Sequence, residues 1–368
     1  MMRIIVSDKT PLHGCPKLMY NGPCGGGSGN LCEVTRGKCV WVEEYLRNPE
    51  NRLFYDIILD KGFKITDYIP KERKPTTKFM RRLKEGKILL SYEYVVERRI
   101  SPNKILDDLS QLKQVYDAVN FIDSPLGSPH IDPVALAILA KNTGLEAVVQ
   151  VSCKDKSRVQ LEALILALML HDLRNMLAIT GDWPHLIGDR SNRPVFDLDA
   201  VRLVYLVRLM SDLGLDYRKR RIENPKVIHV GVAANPYFNP LKLEILRLRK
   251  KVLAGAEFVE TQPVFDKVIV SRFIDEAVKE GVNEPLVFSV IALPNYKYAR
   301  ALEEFARIKI PQEYIELLRL KGGSVNMEFI PKLVGEIISV KGVAGIHVLT
   351  LGDNDMGIKL GEELRRLI

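Results

Sequence analysis

The sequence has no long apolar segment, and this absence restricts where the protein can reside. Its most apolar helical stretch, Val159 to Leu170, has 12 residues, whereas a membrane-spanning helix needs about 20. The first residues, Met1 to Lys9, reach charged side chains at once and contain no apolar core of a secretion signal. We therefore expect a cytoplasmic protein without membrane association.

Cysteine is scarce, with five residues in 368, and no two of them form a C-x2-C pair. Without a secretion signal, thiols or metal ligands are expected rather than disulfides. Four of the five fall within one glycine-rich stretch: Cys15, Cys24, Cys32 and Cys39. Thiolates this close in sequence, joined by turns, suit one tetrahedral zinc ion or one 4Fe–4S cluster. A glycine-rich loop with incidental reduced cysteines is the alternative.

Excess charge is confined to one short segment. The formal net charge is +8, but residues 71–87 hold eight Lys or Arg and two Glu, which accounts for +6 of it. The remaining chain is close to neutral, which argues against a nucleic-acid partner. We interpret residues 64–87 as a solvated basic linker, and a strip that attracts an anionic substrate tail is the alternative.

From residue 88 onward, short apolar runs alternate with stretches of helical periodicity. The predicted strands are Ile88–Val95, Ala118–Ile122, Ala147–Val151, Met176–Ile179, Val227–Ala233, Phe258–Glu260, Leu286–Ile291 and Gly345–Leu349. Predicted helices include Asp132–Lys141, Gln160–Leu173, Leu198–Leu213, Leu241–Leu253 and Val268–Glu280. Eight such units match the length of a TIM barrel. An open doubly wound sheet is the alternative, because alternation alone does not show closure.

The sequence thus predicts an α/β protein with three parts. A small cysteine-rich metal-binding module occupies residues 1–63, the basic linker follows, and a (β/α)8 barrel occupies residues 88–368. TIM barrels carry their chemistry at the carboxyl ends of the strands, so polar residues at those ends are candidate site residues.

Two carboxylates meet this condition. Glu93 lies inside the first apolar strand, where burial would raise the pKa of its carboxyl and suit it to act as a general acid. A structural ion pair inside the barrel is the alternative for Glu93. Asp182 follows a short apolar strand and Gly181, which permits a sharp turn. Asp182 therefore stands at the site, or it only caps the next helix.

Several segments resemble the methylenetetrahydrofolate reductase family. They are LLSYEYVV (89–96), VQVSCKD (149–155), NMLAITGD (175–182), the segment 231–266 and LPNYKYA (293–299). The pattern KV-x-AGA-x-F-x-x-TQ-x-x-FD within 231–266 is the most specific. The resemblance covers roughly residues 88–368 and implies a TIM barrel containing FAD, with FMN as the alternative, that reduces methylenetetrahydrofolate to methyltetrahydrofolate. Separately, residues 15–45 resemble the cysteine-rich module of the partner subunit of acetogen-type reductases.

The resemblance also implies roles for individual residues. Glu93 matches the acid that protonates the pterin as its imidazolidine ring opens to an iminium ion. Asp182 matches the aspartate whose charge stabilises that cation, Gln262 matches a glutamine that hydrogen-bonds the pterin, and Tyr298 falls at a substrate contact. The flavin-binding residues implied are Ser124, Gln150, Thr180, Gly181, Asp182, Phe196 and Asp199.

Departures from the family pattern leave several points open. Thr180 replaces an arginine, which removes a cation expected near the flavin, and Tyr298 and Leu302 replace a glutamine and a phenylalanine. Either NAD(P)H or a protein such as ferredoxin is then the electron donor, and either folate or a modified methylene-tetrahydropterin is the substrate. The alternatives are a pterin-dependent methyltransferase and a non-catalytic electron-transfer or assembly subunit. We also expect a homo-oligomer.

Overall fold

A computed structural model gives the fold and describes residues 3–26, 30–96, 101–187, 191–305 and 308–368. The strands are β1 (Ile4–Ser7), β2 (Ile57–Asp60), β3 (Leu89–Tyr94), β4 (Ala118–Phe121), β5 (Glu146–Ser152), β6 (Asn175–Ile179), β7 (His229–Ala234), β8 (Phe258–Pro263), β9 (Leu286–Ile291) and β10 (Val343–Leu349).

The helices are α1 (Val40–Arg47), α2 (Lys78–Lys84), α3 (Pro102–Val115), α4 (Pro133–Thr143), α5 (Arg158–Leu170), α6 (Ala200–Arg208), α7 (Leu241–Leu253), α8 (Lys267–Lys279), α9 (Tyr296–Phe305), α10 (Gln312–Lys321), α11 (Asn326–Ile338) and α12 (Asn354–Leu367). In the part of the chain that the structure describes, none of these helices combines the length and the apolar character needed to cross a membrane.

Strands β3 to β10 close into one parallel barrel, in which each strand pairs with the next and β10 pairs with β3. The predicted TIM barrel is confirmed, and closure rules out the open sheet. All eight predicted strands are present, and the predicted helix Leu241–Leu253 is α7. These strands were recognisable because both of their faces are buried, so they read as unbroken apolar runs; all six residues of β9 are buried.

The N-terminal region, residues 3–26 and 30–63, packs against the barrel through its own hydrophobic cluster. Its strands β1 and β2 pair in parallel. Trp41 on α1 and Phe54 are buried together with Leu243 and Leu246 of the barrel helix α7. Because these aromatic side chains would otherwise be exposed, their burial favours a fixed position of the N-terminal region on the barrel.

Helix α2 closes the bottom of the barrel, within the stretch that we interpreted as a solvated linker. Thr77 caps the helix by accepting a hydrogen bond from the Met80 N–H at 3.1 Å. Phe79, Met80 and Leu83 are buried, and the Phe79 ring lies 4.9 Å from the Phe258 ring at an interplanar angle of 71°. Lys78, Arg81 and Lys84 of α2 are exposed, and charged residues dominate the composition of the segment, so composition alone did not reveal its apolar face.

Phe79→Ala is expected to lower the free energy of unfolding by about 3–5 kcal/mol, because it leaves a cavity at the base of the barrel. Thermal and urea unfolding would measure the change. Lys78→Ala, at the exposed neighbouring position, is the control and should change stability by less than about 0.5 kcal/mol. Equal stability of the two variants would contradict the role of α2 in closing the bottom of the barrel.

Candidate active site

The carboxyl ends of the barrel strands surround a cavity of about 220 Å³. Six of the residues predicted for the site line it: Glu93, Gln150, Thr180, Gly181, Asp182 and Gln262. They come from β3, β5, β8 and the turn after β6, which parallel pairing brings to one edge. The barrel therefore gathers side chains that are up to 169 positions apart in the sequence.

Glu93 lies deep in this cavity, where its carboxyl is partly accessible from the cavity but surrounded by the barrel wall. The Gln150 side chain donates a hydrogen bond from Nε2 to Glu93 Oε2 at 3.3 Å. Desolvation raises the pKa of Glu93 to about 7, although the hydrogen bond from Gln150 opposes this rise. Near neutral pH the carboxyl is therefore protonated in a large fraction of molecules and can act as an acid.

A second buried carboxyl, Glu260, lies inside the barrel beyond the cavity wall. Asn120 Nδ2 donates to its Oε2 and Oε1 at 2.8 and 3.0 Å. Burial, with a smaller contribution from Glu93, raises the pKa of Glu260 to about 7. Burial also lowers the pKa of His347 to about 3, so the 3.9 Å approach of its Nε2 to Glu260 is no ion pair. Glu260 carried the same sequence signal as Glu93, a carboxylate in an apolar strand, and we did not predict it.

The turn after β6 directs Asp182 toward the cavity. Gly181 has φ +90, and a Cβ at this position would lie 2.9 Å from Lys154 Cβ, so both backbone conformation and space favour glycine. The Asp182 Oδ2 atom accepts a hydrogen bond from the Leu126 N–H at 3.0 Å. The carboxylate is thereby held between the turn after β6 and the loop after β4.

The N-terminal region forms the roof of the cavity, which the sequence analysis missed. Its lining residues are Lys17, Cys24, Gly25, Gly26 and Glu33. Barrel side chains bind this roof through its backbone carbonyls: Asn235 Nδ2 donates to Gly25 O at 3.0 Å, and Arg247 Nη1 donates to Cys24 O at 2.7 Å. The site is therefore built from both parts of the chain.

Two of the predicted flavin-binding residues, Asp199 and Phe196, are buried away from the cavity. Asp199 is buried, and its carboxylate accepts hydrogen bonds from the Tyr20 N–H at 2.9 Å and from Asn21 Nδ2 at 3.1 Å. Phe196 is also buried and stacks on Trp183 with centroids 5.9 Å apart. Neither residue lines the cavity, unlike the four predicted flavin contacts among the lining residues, so Asp199 and Phe196 offer no surface to a ligand in this arrangement.

Two further predicted residues lie outside the cavity lining. Ser124 has left-handed backbone at φ 45, and its hydroxyl accepts a hydrogen bond from the His130 N–H at 3.4 Å; its neighbours Asp123 and Pro125 line the cavity instead. Tyr298, predicted as a substrate contact, lies on α9 with 51% of its surface exposed. Gln262 therefore lines the cavity, whereas Tyr298 does not.

The cavity is small, and polar side chains form much of its lining. Its volume of about 220 Å³ is below the roughly 300–1,000 Å³ typical of sites that enclose a drug-sized ligand. Within the described residues, Gln262 Oε1 and Ser152 Oγ are buried without a hydrogen-bond partner. Such buried polar atoms favour a ligand that hydrogen-bonds to them. The edges of a flavin ring and of a pterin ring both carry donors and acceptors that match this set.

A buried lysine at the cavity edge was also missed. Lys251 donates from Nζ to Ala233 O at 2.6 Å, and burial, with a contribution from Arg247, lowers its pKa to about 7. An anionic ligand would favour the charged form of this amine. A ligand phosphate at this edge would therefore pair with the Lys251 ammonium.

The four cysteines do not form the predicted metal site. Cys24 donates from Sγ to Glu33 Oε2 at 3.2 Å, and burial raises the pKa of its thiol to about 12. Burial also raises the pKa of Cys15 and of Cys39, to which Cys32 contributes as a neighbour. Among the residues with described positions, no three His, Cys, Asp or Glu side chains are arranged to hold a metal ion. The predicted zinc ion or 4Fe–4S cluster is thus not supported by the described residues.

Two family models match the chain. Residues 78–364 match the model described as Methylenetetrahydrofolate reductase. Residues 5–59 match a second one, described as Methylene-tetrahydrofolate reductase C terminal. The boundary between the two matches lies between β2 and α2.

Individual relatives agree with the first match. The chain is 25% identical over 290 residues to 5,10-methylenetetrahydrofolate reductase of Salmonella typhimurium, covering 74% of this chain and 89% of that protein. It is 24% identical over the same length and coverage to the enzyme of Escherichia coli. One solved structure is that of a Clostridium thermocellum protein that binds two copies of 5-methyl-5,6,7,8-tetrahydrofolic acid. It is 11% identical to this chain, with a TM-score of 0.56, and the match covers 78% of this chain and 99% of that protein. This match shows likeness of fold alone. Because the first family model spans more than half of the chain, the protein belongs to the methylenetetrahydrofolate reductase family and is an oxidoreductase of that kind.

Proposed function

We propose that this protein reduces 5,10-methylenetetrahydrofolate, or a related methylene-tetrahydropterin, to the 5-methyl form with a flavin as the redox group. One observation carries the proposal. A single cavity contains a carboxyl with a pKa of about 7, a second carboxylate and an unpartnered amide oxygen, from Glu93, Asp182 and Gln262. The relatives are named for the same reduction, which supports this proposal.

Each of the three side chains has a distinct task in this reaction. Glu93 donates a proton to N10, the nitrogen outside the pterin ring. The bond between the methylene carbon and N10 then breaks with its electron pair on N10, and the carbon stays on the pterin N5 as an iminium ion. The Asp182 carboxylate stabilises the positive charge that develops. Gln262 Oε1 accepts a hydrogen bond from the pterin, which satisfies a buried acceptor that is otherwise without a partner.

Gln150, Thr180 and Gly181 would hold the flavin ring, and Lys251 would neutralise a phosphate beside it. When bound, the flavin supplies hydride to the methylene carbon. The exposed position of Tyr298 offers no enclosed nicotinamide contact, which supports an electron-donor protein such as ferredoxin over NAD(P)H.

The test is an anaerobic single-turnover experiment on the full chain. We expect flavin absorption bands that bleach on chemical reduction and return when methylenetetrahydrofolate is added, together with methyltetrahydrofolate measured by chromatography. Reduced ferredoxin, NADH and NADPH would then be compared as donors. A colourless protein would contradict the flavin assignment, and a reduced flavin that the pterin does not reoxidise would contradict the substrate assignment.

A further inference from the structure

We propose that Lys17 and Glu33 of the N-terminal region are positioning residues that hold the Asp182 carboxylate in place. The chemical role of Asp182 rests on the proposed function, but the contacts do not. The N-terminal region would then be a working part of the active site, because it sets the geometry of a barrel residue.

The contacts fall on the two peptide groups that flank Asp182. Lys17 Nζ donates a hydrogen bond to Gly181 O at 2.9 Å, in the peptide group before Asp182. The Trp183 N–H, in the peptide group after Asp182, donates to Glu33 Oε1 at 3.2 Å. Fixing both peptide planes restricts the two backbone torsions of Asp182, and with them the direction of its side chain.

The two residues are joined to each other as well as to the barrel. Lys17 Nζ lies 2.6 Å from Glu33 Oε2, and the same oxygen accepts a hydrogen bond from Cys24 Sγ at 3.2 Å. The Lys17 ammonium also lies 5.4 Å from the centre of the Phe196 ring. Glu33 thus uses one carboxylate oxygen for Lys17 and Cys24 and the other for the barrel backbone.

The burial of Lys17 and Glu33 argues against an incidental contact between them and the turn that carries Asp182. The side chains of Lys17 and Glu33 are 2% and 6% exposed. An ion pair removed from water is costly unless its hydrogen bonds are satisfied. Apolar residues would usually hold the N-terminal region on the barrel equally well. Here the hydrogen bonds are satisfied by the peptide groups beside Asp182, which points to placement of that residue rather than to attachment.

An ion-pair cluster that joins the N-terminal region to the barrel provides a control. Asp60 of β2 contacts Arg158 Nη2 at 2.7 Å and Arg202 Nη1 at 2.8 Å, and none of the three residues lines the cavity. Asp60→Ala removes a carboxylate that attaches the N-terminal region to the barrel. Glu33→Ala removes one that also reaches Trp183.

The first measurement does not depend on activity. Hydrogen–deuterium exchange at the Trp183 amide, followed by mass spectrometry of a peptide covering residues 180–184, should accelerate by about 10-fold in Glu33→Ala, because the amide loses its acceptor. In Asp60→Ala the exchange should stay at the wild-type rate. Glu33→Ala leaves the Lys17 charge without its partner and could prevent folding. In that case the double variant Lys17→Met with Glu33→Ala, which removes both charges, is used in its place. Unchanged exchange at Trp183 would overturn the proposal.

The second measurement tests whether Lys17 and Glu33, together called the clamp, act through Asp182. Glu33→Ala should lower kcat for methylene-pterin reduction by about 10- to 100-fold with little change in KM, since misplacement by an ångström is enough for such a loss. In the Asp182→Asn background the same change should have no further effect, because both act through one carboxylate. Independent, multiplicative losses would overturn the proposal. An inactive wild type with accelerated Trp183 exchange in Glu33→Ala would refute the proposed function and leave the clamp standing.

Discussion

Glu93→Gln is expected to reduce the rate of methylene-pterin reduction by about 10²- to 10⁴-fold, with the fold and the flavin retained. Glutamine has nearly the same shape and can still accept the hydrogen bond from Gln150 Nε2. It has no acidic proton to transfer to the leaving nitrogen, N10. Single-turnover oxidation of the chemically reduced protein by methylenetetrahydrofolate would measure the loss directly.

The pH dependence gives an independent check on the same residue. Since burial raises the pKa of Glu93 to about 7, the wild-type rate should fall as the pH rises through this value. Glu260→Gln is the matched control, because burial raises the pKa of Glu260 to about 7 but its side chain does not line the cavity. We expect that variant to keep its rate within a few-fold. Wild-type turnover in Glu93→Gln would remove Glu93 from the mechanism.

The raised pKa of Glu93 also has a consequence for stability. The pKa of Glu93 is about 7 in the folded state and 4.5 in the ordinary, unfolded state. The group's contribution to stability is therefore complete below pH 4.5 and is lost as the pH rises through about 7. Glu93→Gln removes the cost of ionising the buried group. The variant should therefore be more stable than the wild type at pH 8, by about 1–3 kcal/mol, and this advantage should vanish near pH 4.

The barrel and half of its site could be predicted because both depend on local sequence. A strand buried on both faces must be apolar along its length, so β3 to β10 are visible as apolar runs. A carboxylate within such a run is conspicuous for the same reason, which identified Glu93. Glu260 in β8 shows the same anomaly, but its place inside the barrel requires the closure of the sheet, which the sequence does not display.

The roof of the site could not be predicted because it depends on contacts between distant segments. Lys17 reaches Gly181 across 164 positions, and no periodicity relates the two. The departure at Thr180 suggested that a cation was missing near the predicted flavin site. The structure places the Lys17 ammonium beside the same turn. The cysteine pattern instead suggested a metal site, because spacing alone did not show that Cys24 would pair with Glu33.

Asp182→Asn is expected to slow oxidation of the reduced protein by methylenetetrahydrofolate by about 10²-fold, because the iminium cation loses its nearest stabilising charge. The flavin midpoint potential should rise at the same time, since a negative charge beside an anionic reduced ring disfavours reduction. Asparagine can still accept the hydrogen bond from the Leu126 N–H. The substitution therefore changes the charge while it preserves the position of the side chain.

A helix cap at Asp182 predicts a different outcome. Asp132 is a cap of this kind, because its Oδ1 accepts hydrogen bonds from the backbone of α4. Asp132→Ala should lower stability by about 1 kcal/mol and leave both half-reactions unchanged. Stopped-flow measurement of flavin reduction and oxidation, beside melting curves for both variants, separates the two roles. If Asp182→Asn behaves like Asp132→Ala, with an unchanged potential and an unchanged oxidative rate, Asp182 has no part in the chemistry and the clamp formed by Lys17 and Glu33 has no catalytic group to position.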